Sequence, residues 1–86
     1  MPKKTDLIQK LCRKPIPKNF TTRDLDALMN KCNCTKFPGG RGSGIGFVHN
    51  ETQRVLQFDE PHPGNELYTY QIKKVIQFLK DIEEID

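Results

Sequence analysis

No apolar run in this chain of 86 residues approaches eighteen residues, so nothing in it reads as a membrane-spanning helix. No charged-then-apolar leader follows Met1 either, and the expected compartment is cytoplasmic. Cysteine is limited to Cys12, Cys32 and Cys34, an odd count that argues against a disulfide framework. In that setting the N-x-T triplets at Asn33 and Asn50 have no meaning as glycosylation acceptors. Histidine is scarcer still: His49 and His62 are the two available. No Ser-His-Asp spacing, carboxylate pair or internal repeat can be read along the chain. The length suits one small domain of modest stability.

What is present is polar and unevenly charged. Hydrophobic residues make up 35% and charged residues 29%, within the range of a globular chain. The net charge of +3 conceals an asymmetry. Residues 1–18 carry six basic side chains (Lys3, Lys4, Lys10, Arg13, Lys14, Lys18) against one acid, Asp6, whereas residues 19–86 carry eight basic and ten acidic groups. A basic segment on a near-neutral body suits an anionic partner such as RNA, and equally a solvated helix face.

The chain is organised around the stretch from Gly39 to Gly64. It begins with five glycines in the eight residues from Gly39 to Gly46 and ends on Pro61-His62-Pro63-Gly64. Between these lie two strand-like runs, Ile45 to Val48 and Arg54 to Phe58, joined by the short polar loop His49 to Gln53. This is the pattern of an antiparallel hairpin. A shorter strand, Cys34 to Phe37, precedes it and makes the sheet a three-stranded meander. Thr21 with Asp24 approximates a capping box, and Phe20 with Leu25 fills the staple positions. Leu25, Leu28, Met29 and Cys32 then follow at helical spacing. The last helix carries Ile72, Val75, Ile76, Leu79 and Ile82 on one face, and the four acids at its end oppose the helix dipole, which predicts fraying. Thr5 to Arg13 forms a short helix stopped by Lys14-Pro15-Ile16-Pro17. The expected architecture is α+β: residues 1–18 as a basic helix and linker appended to an α-β-β-β-α domain over 19–86. Leu25, Leu28, Met29, Phe47, Leu56, Ile72, Val75, Ile76 and Leu79 are its expected core.

Three groups of residues suggest chemistry. The glycine-rich loop lacks the Lys-Ser/Thr ending of a Walker loop and leads into a strand, so a nucleotide-binding helix N-terminus is absent. Its backbone N–H groups, with Arg41 and Ser43, suit contact with a phosphodiester; the plainer reading is a wide strand connection. Cys32-x-Cys34 with His49 and His62 supplies four metal-type side chains, yet the spacing matches no common zinc module, and no metal or other cofactor is expected. His62, held between prolines, is suited to proton transfer or phosphate contact, with His49 as the weaker candidate. For each histidine the plainer reading is a packed ring or a turn hydrogen bond. Lys36, Arg41 and Arg54 around the glycine loop are the expected phosphate contacts.

These residues carry a resemblance. A Leu-rich helix precedes Gly42-Ser43 at the head of a strand, a strand pair follows, and His62-Pro63-Gly64-Asn65-Glu66-Leu67 leads into the last helix with Tyr70-Gln71-Ile72-Lys73. From about Asn19 to Ile82 the chain resembles the HicA family, toxins of type II toxin–antitoxin modules that act as mRNA interferases. The resemblance implies a double-stranded-RNA-binding-domain-like fold with both helices on one sheet face. It also implies metal-independent endonuclease cleavage of mRNA and a HicB-like antitoxin as partner. On that basis His62 and His49 are the catalytic candidates, and Lys36, Arg41, Gly42, Ser43 and Arg54 the RNA-binding ones. The chain departs from the family pattern where histidine usually follows Gly-Ser: Gly44 and Ile45 stand there. The alternative is a non-catalytic relative that binds RNA or protein.

Overall fold

A computed structural model describes residues 3–38, 44–61 and 64–85. The elements are α1 (Lys4–Leu11), α2 (Thr22–Lys31), β1 (Cys34–Pro38), β2 (Gly44–His49), β3 (Val55–Asp59) and α3 (Thr69–Asp81). The strands form an antiparallel sheet in the order β1-β2-β3, so the α-β-β-β-α succession and the meander are both present. Register follows from burial. Cys34 pairs with His49, Phe47 with Leu56, and Ile45 with Phe58, which places these residues on one face of the pleat. All six are buried, while Thr35, Val55, Gln57 and Asp59 on the other face are exposed. Both helices therefore cover the same face, α2 against β1 and α3 against β3. On the uncovered face the Phe37 ring lies across Gly46: a Cβ there would come within 2.5 Å of the ring.

Helix α2 begins where the capping signal placed it. Asp24 donates its N–H to Thr21 Oγ1 at 3.2 Å and accepts the Thr21 N–H on Oδ2 at 3.1 Å. Lys10 from α1 donates to the same Oδ2 at 2.9 Å. Burial pushes the Asp24 carboxyl up, but the Lys10 and Thr21 hydrogen bonds outweigh it and hold the group below its ordinary value.

Of the nine expected core residues, Leu25, Leu28, Met29, Phe47, Leu56, Ile72, Val75 and Leu79 are buried. Ile76 is the exception: it is partly buried at the rim, and Phe78 takes a place in the core. Ile76 lies on the edge of the stripe defined by Ile72, Val75 and Leu79, so its outer side stays open.

Two expectations are corrected. Residues 3–18 are not an appendage, because Leu7 and Leu11 are 2% and 0% exposed and belong to the same hydrophobic cluster as the helices and sheet. Two of the basic side chains of that segment are also committed internally, Lys4 to Glu84 at 3.1 Å and Lys10 to Asp24 at 2.9 Å. The net positive charge offered to a partner is smaller than the sequence count implies.

The end of α3 does not fray over the described residues. Glu84 N–H reaches Leu79 O at 2.9 Å and Glu83 N–H reaches Lys80 O at 3.1 Å, a Schellman closure with Glu83 at φ 64°. The four acids act against the dipole, but one of them, Glu84, is neutralised by Lys4, and Ile82 and Ile85 pack on the core. Glu83 occupies a left-handed position that favours glycine. Glu83→Gly should raise stability by about 1 kcal/mol, seen as a thermal midpoint roughly 4–8 °C higher.

Candidate nucleic-acid interface

The sheet sorts the candidate residues to its two ends. Gly44 opposes Asp59 at one end of β2, and His49 pairs with Cys34 at the other. Five residue steps along β2 separate those ends by roughly 17 Å. Pro38 and Gly44, which bracket the glycine loop, and Asp59 to Pro61, which lead to His62, lie at the first end. Arg41, Gly42, Ser43 and His62 themselves are outside the described residues.

His49 and Arg54 occupy the far end, in the β2–β3 turn. His49 is 6% exposed. Its Nδ1 accepts the Thr52 N–H at 3.3 Å and lies 2.8 Å from Thr52 Oγ1, so the ring proton of the neutral form is on Nε2. Thr52 Oγ1 in turn accepts the Arg54 N–H at 3.3 Å. The imidazole thus stabilises the turn. Alongside it, Asn50 donates from Nδ2 to Asn33 Oδ1 at 3.1 Å and accepts from the Thr35 hydroxyl at 2.7 Å. Asn33 and Asn50 of the two N-x-T triplets meet in this one network, and Asn33, just past α2, holds φ 63°.

Lys36 sits mid-strand, between the two ends and on the helix side, where it forms an ion pair with Asp26 of α2 at 3.2 Å. The pair is about half exposed, so the ammonium is accessible but already partnered. Arg54 lies at the opposite end of β2 from the flanks of the glycine loop, and Lys36 two residues from Pro38 on β1.

Cys32 and Cys34 are core thiols. Burial first, then the Glu84 carboxylate beside it, pushes Cys32 up to about 12, and the same two causes raise Cys34 to about 11. Both stay protonated and poorly nucleophilic near neutrality. Among the described residues no three His, Cys, Asp or Glu side chains converge as a metal site, and no helix is long and apolar enough to cross a membrane.

A concave surface lies at the first end, where the start of α3 meets the chain leading into α2. Thr22 N–H donates to Asn65 O at 2.8 Å and Leu67 N–H to Phe20 O at 2.8 Å, so the two lead-in segments run together as a short antiparallel bridge. The N-termini of α2 and α3 are thereby brought side by side. Beside the start of α3, where the chain at Pro17 and Lys18 passes it, opens a groove of about 930 Å³, lined by Pro17, Lys18, Pro61, Tyr68, Tyr70 and Lys73 among others. Next to Tyr70 in the chain, Gln71 is a fully buried polar side chain. Gln71 Oε1 accepts the Tyr68 N–H at 2.9 Å, and its Nε2 donates to Asp59 O at 2.7 Å. One amide thus ties the start of α3 to the end of β3.

The tyrosines were not singled out from the sequence. The available signal was positional: Tyr70 lies two residues, about 200° of helix rotation, from Ile72 and therefore off the apolar stripe. An aromatic ring placed away from the core at a helix start has some other use. Gln71 gave no such signal, since its burial depends on Asp59 arriving from a different element. No family model, curated protein or solved structure matches the chain.

Proposed function

We propose that this chain binds RNA at the end of the sheet where α3 begins, and that it is a metal-independent mRNA endoribonuclease toxin of the HicA type, restrained by a HicB-like antitoxin. The observation that carries the reading is the groove: residues on both sides of the His62-Pro63 dipeptide line it, together with Lys18, Lys73 and two exposed tyrosines. The α+β order agrees with the fold that the resemblance implies. In the proposed reaction a base takes the 2′-hydroxyl proton as that oxygen attacks phosphorus, and an acid protonates the departing 5′-oxygen. The products are a 2′,3′-cyclic phosphate and a free 5′-hydroxyl. His62 is assigned one of these proton transfers, with Arg41 and Ser43 assigned to the scissile phosphate.

The second reading, an RNA- or protein-binding relative without cleavage, has its own observation. Ile45 is 3% exposed and faces the core opposite Phe58, so one of the two positions after Gly42-Ser43 is given over to packing.

Expression of the chain alone, with growth and mRNA integrity followed together, separates the two. Growth arrest with mRNA cleavage, relieved by a HicB-like antitoxin, supports the toxin; intact mRNA with retained RNA affinity supports the relative. Binding should weaken with salt, since about three phosphate contacts to a single strand give a roughly 20-fold loss in affinity between about 50 and 200 mM salt. Affinity that does not respond to salt contradicts an RNA-binding role for the lysines.

A further inference from the structure

The Tyr68 and Tyr70 rings are stacked, with centroids 6.1 Å apart and planes at 28°. They are 43% and 55% exposed, and among the described large hydrophobic residues only Val55 is comparably open. Phe20, Phe47, Phe58 and Phe78 are buried and Phe37 is half-buried across Gly46, so these two rings are the most open aromatics among the described residues. The pair is also rigidly mounted. Gln71 accepts the Tyr68 N–H at 2.9 Å, donates to Asp59 O at 2.7 Å, and lies 3.5 Å from the Tyr70 hydroxyl. Lys18 and Lys73 line the same groove, against one acid, Glu66, and the first turn of α3 contains no acid.

Resting on the RNA-binding reading above, we propose that this tyrosine pair is a stacking platform for an unpaired base, with Lys18 and Lys73 on the adjoining phosphates, so that the RNA is taken as a single strand. An exposed ring offers its face to any base, and the ammonium groups beside it meet the backbone that every nucleotide carries. A duplex cannot use such a platform, because its bases are already stacked on one another. A protein partner fits less well. Two tyrosines and two prolines fall short of the roughly 800 Å² each partner contributes to a stable interface, and lysines at the margin suit phosphate better than an apolar anchor. Gln71 already holds the backbone that carries them, so less entropy is lost there on binding.

The test is a fluorescence-anisotropy titration of one labelled RNA sequence, single-stranded and annealed to its complement, against the wild-type chain, Tyr70→Ala, Tyr68→Ala and Tyr70→Phe. Tyr70 and Tyr68 are exposed, and a thermal melt of each variant checks that the fold is retained. The wild type should prefer the single strand. Tyr70→Ala should weaken it roughly 5–100-fold, the loss of one stacked base, while Tyr70→Phe stays within about twofold because it keeps the ring face. A 2-aminopurine base in the strand should be quenched by the wild type and not by Tyr70→Ala. Equal or tighter binding of the duplex overturns the proposal, as does wild-type affinity in both alanine variants; either result leaves the RNA-binding reading standing. Loss of antitoxin capture in Tyr70→Ala with RNA affinity unchanged also overturns it and makes this a protein-docking face. If the wild type binds no RNA even at low salt, the RNA-binding reading and the platform fall together.

Discussion

His62→Ala should lower RNA cleavage by about 10²–10⁴-fold, the usual cost of removing a general acid or base, and leave the thermal midpoint close to wild type. The chain has two histidines, and only imidazole has an ordinary pKa suited to exchanging protons near neutrality. His49 is buried in the β2–β3 turn with Nδ1 occupied by Thr52. It lies at the opposite end of β2 from the groove and from the residues that precede His62. His49→Ala should therefore act on stability, costing about 1–3 kcal/mol through lost turn hydrogen bonds and an unfilled space. Cleavage rates and thermal melts of the two variants, measured side by side, check both halves. A dead but stable His49→Ala beside an active His62→Ala would reverse the assignment. Full activity in both would remove histidine from the reaction altogether.

Phe20→Ala should cost about 3–5 kcal/mol, a large part of the stability available to a domain of this size. Phe20 is fully buried and among the largest such side chains in the molecule. It precedes the Thr21 cap of α2, the Lys10 ammonium from α1 stands 5.9 Å from its ring centroid, and its carbonyl accepts the Leu67 N–H just before α3. One residue thus joins the start of α2 to α1 through its ring and to the lead-in of α3 through its carbonyl. Its removal leaves a cavity that these elements, each anchored elsewhere, cannot close by collapsing. Chemical denaturation read by circular dichroism gives the value; a loss below about 1 kcal/mol would mean that the site repacks. Leu28→Ala, beneath the centre of α2, should cost about 2–5 kcal/mol on the same grounds.

The legible parts of the sequence were those in which periodicity and capping agree. Thr21 and Asp24 state the start of α2 in residues three apart, and the alternation of Ile45 with Phe47 and of Leu56 with Phe58 states which face of the hairpin is inward. Ile76 shows the limit of periodicity: a stripe has edges, and which edge residue is covered depends on what packs beside it. The role of α1 was hidden because Leu7, Ile8 and Leu11 declare an apolar face without saying what it covers. The Schellman closure was hidden because Glu83 stands where glycine would have announced it. For the candidate site, spacing identified Lys36 as a cation but could not show Asp26 arriving opposite it. The same holds for His49, whose commitment to Thr52 exists only once the turn has formed. Tyr68 and Tyr70 were visible as letters, but their stacking and exposure, and the arrival of Lys18 beside Lys73, depend on two separate stretches of chain meeting.

The contact between Lys4 and Glu84 joins residues 80 positions apart. During synthesis this clasp, and the packing of Ile82 and Ile85 on the core, cannot form until residues 82–85 have been added. Until α3 is complete, the part of the sheet face carrying Leu56 and Phe58 has no cover. At about 5–20 residues per second, translating the 13 residues of α3 takes roughly 1–3 s. A nascent chain therefore passes through an interval in which part of its apolar sheet face is open. That interval is when the protein is most exposed to aggregation on the ribosome, and when an early-binding chaperone or partner would have most to shield.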